Sequence, residues 1–155
     1  MPAQGPVLGL DYGERRIGVA VSDPAGEFAF PAEALLRQGS LDRDLAALAA
    51  LVEERGIQRI VVGLPIHLDG RIGPEAEAAR GFARELAART GLEVEMLDER
   101  FTTQEAERAL REAGGSAGRR RRQRRSGAVD SAAAALLLRT WLARERAAGG
   151  GAGGA

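Results

Sequence analysis

No cysteine occurs in the 155-residue chain, which excludes disulfides and thiolate metal sites, and a single histidine, His67, leaves little scope for imidazole ligation. Any metal must be held mainly by oxygen, a preference of hard cations such as Mg²⁺ and Mn²⁺. Lysine is absent too, so all 22 basic residues are arginine. Codon usage rich in Arg, Ala and Gly accounts for that bias, although a guanidinium also forks onto phosphate better than an ammonium does. Long apolar runs are missing: the longest, Leu45 to Val52, is eight residues, far short of a membrane span. The opening segment MPAQGPVLGLDYG lacks a basic region followed by an apolar stretch and a cleavage site. A cytoplasmic, soluble protein with no membrane partner is expected.

What is present suits one domain, because 45% hydrophobic and 28% charged residues over this length can bury a sizeable core. Net charge is zero, yet residues 114–126 hold six arginines and no acid, leaving a net charge of minus six on the rest. Such a chain is an acidic body with one concentrated basic loop, suited to clamping phosphates locally.

Apolar periodicity lays out the elements in order. VLGLDYG and RIGVAVSD, parted by Gly13 and Glu14, predict a β-hairpin, and FAFPAEALLR predicts a third strand interrupted by Pro31. SLDRDLAALAALVEERG predicts a helix with Ser40 as N-cap, leucines 41, 45, 48 and 51 on one face and Gly56 as its stop. IQRIVVGLP reads as a buried strand, and PEAEAARGFARELAARTG as a helix opened by Pro74 and closed by Gly91. LEVEMLDER is the fifth strand. TTQEAERALREAGG is a third helix whose Thr102 and Glu105 have capping-box spacing. A flexible basic loop spans 114–127, a last helix spans Val129 to Arg146, and the Gly/Ala tail from 148 to 155 is expected to be disordered. The order βββαβαβαα implies an α/β fold, a five-stranded mixed sheet flanked by helices in a single domain over 1–147.

Three carboxylates fall where solubility alone does not explain them. Asp11 lies near the end of the first strand, in phase with Val7 and Gly9, where a carboxylate needs a partner, or else in the hairpin turn that follows, where Asp is common. Glu99 closes the fifth strand beside Asp98, either as a site acid or as an ordinary strand-end charge. Asp130 shares a helical stripe with Ala134, Leu137, Leu138 and Trp141 and so is expected to face inward, although an acid in a first helical turn is also stabilised by the macrodipole. If the first, fourth and fifth strands are neighbours, the last helix can bring Asp130 to Asp11 and Glu99. Three acids meeting there would repel unless cations neutralised them, and two Mg²⁺ or Mn²⁺ ions could then activate water for phosphodiester hydrolysis.

Four blocks carry a resemblance: GLDYGERRIGVAVSD, VVGLPIHLDG, LDERFTT, and the basic loop followed by VDSAAAALLL. In order and spacing they resemble the motif blocks of the YqgF (RuvX) family of bacterial proteins, over nearly the whole chain. That resemblance implies a ribonuclease H-like fold with Asp11, Glu99 and Asp130 as metal-binding catalytic acids. It implies a nuclease that matures the 5′ end of the 16S rRNA precursor in ribosome biogenesis, or alternatively a Holliday junction resolvase in DNA recombination and repair. The block beginning GLP usually continues with asparagine in the family, where this chain has His67; a histidine can still donate to phosphate, although a solvated loop residue is the plainer reading.

Within this frame Arg119, Arg120, Arg121, Arg122, Arg124 and Arg125 of the loop grip a nucleic-acid backbone, with Arg15 and Arg16 in the first hairpin extending the contact. Partners would be pre-rRNA, ribosomal precursor particles or branched DNA. A homodimer follows only from symmetric cutting of a four-way junction, and no interface signal is legible. Two other readings compete. DYGERRIG also resembles the first phosphate loop of the actin-like ATPases and sugar kinases, which need two such domains, and a non-catalytic RNA-binding assembly factor would keep the loop without using the acids.

Overall fold

The computed structural model describes residues 5–100 and 128–153. Six strands form one sheet: β1 (Val7–Tyr12), β2 (Arg16–Ser22), β3 (Ala29–Pro31), β4 (Leu35–Leu36), β5 (Arg59–Leu64) and β6 (Val94–Asp98). Its order is β3-β2-β1-β5-β6, with β4 paired to β2 beyond β3. β2 runs antiparallel to β1, whereas β5 runs parallel to β1 and β6 parallel to β5. This is the mixed α/β arrangement expected above, with the first, fourth and fifth predicted strands side by side.

One expected strand is two. FAFPAEALLR breaks after Pro31 into β3 and β4, each pairing with β2, so the sheet has six strands rather than five. Proline has no N–H to give a ladder, and an edge is where a sheet tolerates it.

Helix α1 (Leu41–Arg55) is capped by Ser40, whose Oγ accepts from Arg43 N at 3.4 Å, and it ends at Gly56 in the left-handed region with φ 64°. Its buried face is Leu45, Leu48, Val52 and the acid Asp44, while Leu41, expected on that face, is exposed. A cap-adjacent residue lies where the chain is only entering the helix, so helical phase predicts its direction poorly. Helix α2 (Pro74–Thr90) starts with Pro74 and closes at Gly91, as expected.

These two helices cover one face of the sheet, packing Leu45, Leu48, Phe82 and Leu86 onto Leu8, Leu10, Ile17, Val19, Ile60 and Val62. The last helix, α3 (Ala128–Gly153), covers the other, where Val7, Ala20, Val61 and Leu97 meet Ala134, Leu137, Leu138 and Trp141. β1 is thus buried from both sides, and its alternate residues feed two separate cores.

α3 is described as far as Gly153, past Arg146, the end expected for the last helix. Once a helix is nucleated, each further residue adds a hydrogen bond, and that gain carries α3 into the glycines despite their poor propensity. The third predicted helix, with Thr102 and Glu105, and the loop over 114–127 lie outside the described residues. Among those residues, no helix is long and apolar enough to cross a membrane.

Candidate metal and nucleic-acid site

Asp11 belongs to the strand and not to the turn: its register partner is Gly18 on β2, and the reversal comes afterwards, where Gly13 N donates to Arg16 O at 3.0 Å. Strand alternation places Asp11 on the same face as Val7 and Gly9, the face covered by α3. On β5 the same face carries Val61 and Gly63. Glu99 follows β6 directly and begins a helical turn, leaving the sheet at the edge where β1 and β5 also end.

Gly63 makes this meeting possible. A methyl added there would lie 2.5 Å from Glu99 Oε1 and 2.9 Å from its Cδ and Cγ, so the Glu99 side chain lies across the bare backbone of β5. With that route open, the Glu99 carboxyl reaches Asp11 and hydrogen-bonds to it. Burial first, then the Asp11 charge, this hydrogen bond and the Asp98 charge push Glu99 up to about 8. Near neutrality Glu99 therefore keeps its proton and donates it to the Asp11 carboxylate.

The neighbouring acid is treated differently. Asp98 accepts from Arg100 Nη2 at 2.6 Å and Nε at 2.8 Å, and this pairing holds its carboxyl below the usual carboxylate range. Of two adjacent acids at one strand end, Asp98 is neutralised locally, which leaves Glu99 to face Asp11.

α3 runs antiparallel to β1. Near its start, Ser131 Oγ accepts from the backbone N of Val19, at the level of Leu10. One turn on, Ala134 and Leu138 cross Gly9 so closely that a methyl there would lie 2.9 Å from Leu138 Cβ. Further along, Trp141 stacks under the Arg59 guanidinium at 4.7 Å, level with Val7. Asp130 enters the helix one residue before Ser131, so its backbone starts at the Asp11 end of β1. Its carboxylate lies outside the described atoms, and among the described residues no group of three potential metal ligands forms.

The remaining expected residues divide. Arg15 is exposed in the β1–β2 turn and Arg16 is half-buried at the start of β2. Arg119, Arg120, Arg121, Arg122, Arg124 and Arg125 lie outside the described residues. His67 is exposed on the loop after β5, with its imidazole folded against Gly73, where an added methyl would lie 2.7 Å from Nε2.

Two residues near the site were not singled out from the sequence. Arg37 donates from Nη1 to Gly13 O at 3.1 Å and Glu14 O at 3.2 Å, lies 4.5 Å over the Tyr12 ring, and pairs through Nε with buried Asp44 at 3.3 Å. Asp44 also accepts from Gln38 N at 2.9 Å. Together they tie the turn after Asp11 to α1. An acid at the fourth helical position beside three leucines was the available signal.

Comparison with known proteins bears on this geometry. The RuvX family model, described as Holliday junction resolvase, matches residues 5–144. A protein of Moorella thermoacetica named "Putative pre-16S rRNA nuclease" is 50% identical over 109 residues, covering 69% of this chain and 76% of that one. Its namesake from Mycobacteroides abscessus is 47% identical over 114 residues, 73% of this chain and 69% of that one. Among solved structures, T. thermophilus RuvC in complex with Holliday junction substrate aligns with a TM-score of 0.48 at 16% identity, over 65% of this chain and 69% of that chain. With the family model spanning both sheet faces and both strand ends that carry the acid pair, the chain belongs to the RuvX family.

Proposed function

We propose that this chain is a divalent-metal-dependent nuclease that hydrolyses phosphodiester bonds in the 5′ leader of the 16S rRNA precursor, using Asp11, Glu99 and Asp130. The observation that carries this reading is the contact between Asp11 at the end of β1 and Glu99 just after β6, two acids that meet where the strands end. Such a pair is costly as two anions, and the proton on Glu99 relieves that cost in the protein alone. Its hard oxygen donors and excess negative charge fit Mg²⁺ or Mn²⁺. When bound, such ions would neutralise the acids, polarise the phosphate and lower the pKa of a water nucleophile. Three carboxylates suit two ions, with Asp130 supplied by the first turn of α3.

The chain's own residues then have distinct parts. Asp11, held in register with Gly18 of β2, gives a fixed reference. Glu99 must release its proton before it can ligate, so metal affinity rises with pH toward about 8. Arg15 and Arg16, in the turn after Asp11 and at the start of β2, would take phosphate oxygens on one side. The six loop arginines precede α3 directly and would grip the backbone while Asp130 completes the site, coupling binding to catalysis. The names of the relatives support RNA over branched DNA, and ribosomal precursor particles are the natural setting. His67, turned onto Gly73, serves the loop.

The test is cleavage of a labelled 16S precursor leader, a four-way DNA junction and an unstructured strand, with Mn²⁺ or Mg²⁺, by wild type and Asp11→Asn. Metal-dependent cutting of the leader, abolished in the variant, is expected. Preferred cutting of the junction would transfer the assignment to DNA, and binding without cutting under either metal would sink the nuclease reading.

A further inference from the structure

Leu68, on the loop between β5 and α2, is 81% exposed, more than any other large apolar side chain among the described residues, and Ile72 on the same loop is 44% exposed. The loop is braced. His67 N donates to Arg71 O at 3.0 Å and Gly70 N to His67 O at 2.8 Å, closing a turn with Leu68 at its tip and Gly70 at φ 90°. Asp69 reinforces it, accepting from Arg71 N at 3.0 Å and Arg71 Nε at 2.7 Å.

Single exposed leucines are ordinary on protein surfaces, so position must carry the argument. The loop follows β5, whose penultimate residue Gly63 lies against Glu99, and at Gly70 an added methyl would be 3.8 Å from Nη1 of Arg100, the residue after Glu99. Through Gly70 the turn therefore lies beside the segment that carries Glu99. Its charges are already spent locally, Arg71 on Asp69 and Arg100 on Asp98. A turn with its cations neutralised makes a poor phosphate clamp but a good apolar contact. The apolar parts of a nucleic acid are its base faces, and continuous stacking hides them; a protruding leucine finds one only where a base is unstacked or a step has been opened.

We propose that Leu68 is the contact for an unstacked base beside the scissile phosphate, so that the site selects RNA bulged, flipped or single-stranded at the cut over continuous duplex. This rests on the nuclease reading and names its substrate class.

The experiment compares binding of a fluorescent RNA hairpin carrying one bulged nucleotide with the same hairpin fully paired, by anisotropy without divalent metal. Hydrolysis of bis(p-nitrophenyl) phosphate with Mn²⁺ runs in parallel. Leu68→Ser, at an exposed tip, is expected to weaken binding of the bulged RNA about 10-fold. Paired-RNA binding and diester hydrolysis should be unchanged, and Leu68→Phe should restore the preference. Equal losses on both RNAs, no loss on either, or no wild-type preference for the bulge would overturn the proposal. So would a wild-type dimer that Leu68→Ser splits, since the leucine would then cover a second copy. Failure of wild type to cleave the small diester would strike the nuclease reading instead, and the anisotropy comparison would still decide the role of Leu68.

Discussion

Gly63→Ala is the sharpest perturbation of the site that leaves every acid in place. The new methyl would lie 2.5 Å from Glu99 Oε1 and 2.9 Å from Cδ and Cγ, whereas ordinary contact begins at 3.4 Å. Because Cγ is involved as well as the carboxyl tip, rotating the carboxylate does not relieve the clash, and the whole side chain must withdraw by about 1 Å. Displacement on that scale at reacting groups costs on the order of 10²-fold in rate. Overpacking a closed core typically costs about 1–3 kcal/mol, which for a domain of this size lowers Tm by roughly 2–12 °C. Metal-dependent cleavage of the precursor leader and a thermal melt measure the two effects separately. Adding Glu99→Asp, one methylene shorter, should recover part of the lost Tm without recovering the rate. Full cleavage activity in Gly63→Ala would refute the reasoning, because Glu99 could then do its work from another position.

Other expectations follow from the same geometry. In metal-free protein Glu99 titrates near 8 when folded against an ordinary 4.5. Its contribution to stability is thus fully present below pH 4.5 and is lost as pH rises toward 8, at no more than about 1.4 kcal/mol per pH unit. Asp11→Asn should flatten that slope without removing it, since burial is the larger cause, and urea unfolding from pH 5 to 8 reads both; identical slopes would contradict the pairing. Arg37→Met leaves Asp44 buried without its cation, and with Arg37 partly exposed the expected loss is about 2–3 kcal/mol, below the range for a fully buried pair. If the six loop arginines hold phosphates, log affinity falls against log salt with a slope of roughly −4 to −5, and replacing all six with glutamine should leave only the small slope due to Arg15 and Arg16. An unchanged slope in that variant would take the loop off the binding surface.

The layout of the sheet was legible because β1, β2 and β5 are apolar runs of a length only strands use, and both major helices carry their caps in the sequence. Phase with Val7 and Gly9 correctly placed Asp11 on a buried face, and the stripe of Ala134, Leu137, Leu138 and Trp141 is the buried side of α3. Periodicity could not say which of Asp98 and Glu99 faces the site, because that depends on Arg100 capturing Asp98 across a turn. Nor could it reveal the role of Gly63, whose bare backbone accommodates the Glu99 side chain from the turn after β6. The Arg37–Asp44 tie was hidden for a similar reason: helical phase marks Asp44 as inward, but only tertiary packing supplies its partner.

The position of α3 in chain order has a consequence for biosynthesis. Every strand of the sheet is made before α3, so a growing chain can lay down β1, β5 and β6, and bring Asp11 to Glu99, while one whole face is still bare. Burying that face and, on the proposed assignment, delivering Asp130 are then a single event. On the nuclease assignment proposed above, the site would stay incomplete beside the ribosome producing the chain and would become competent only as the last helix docks.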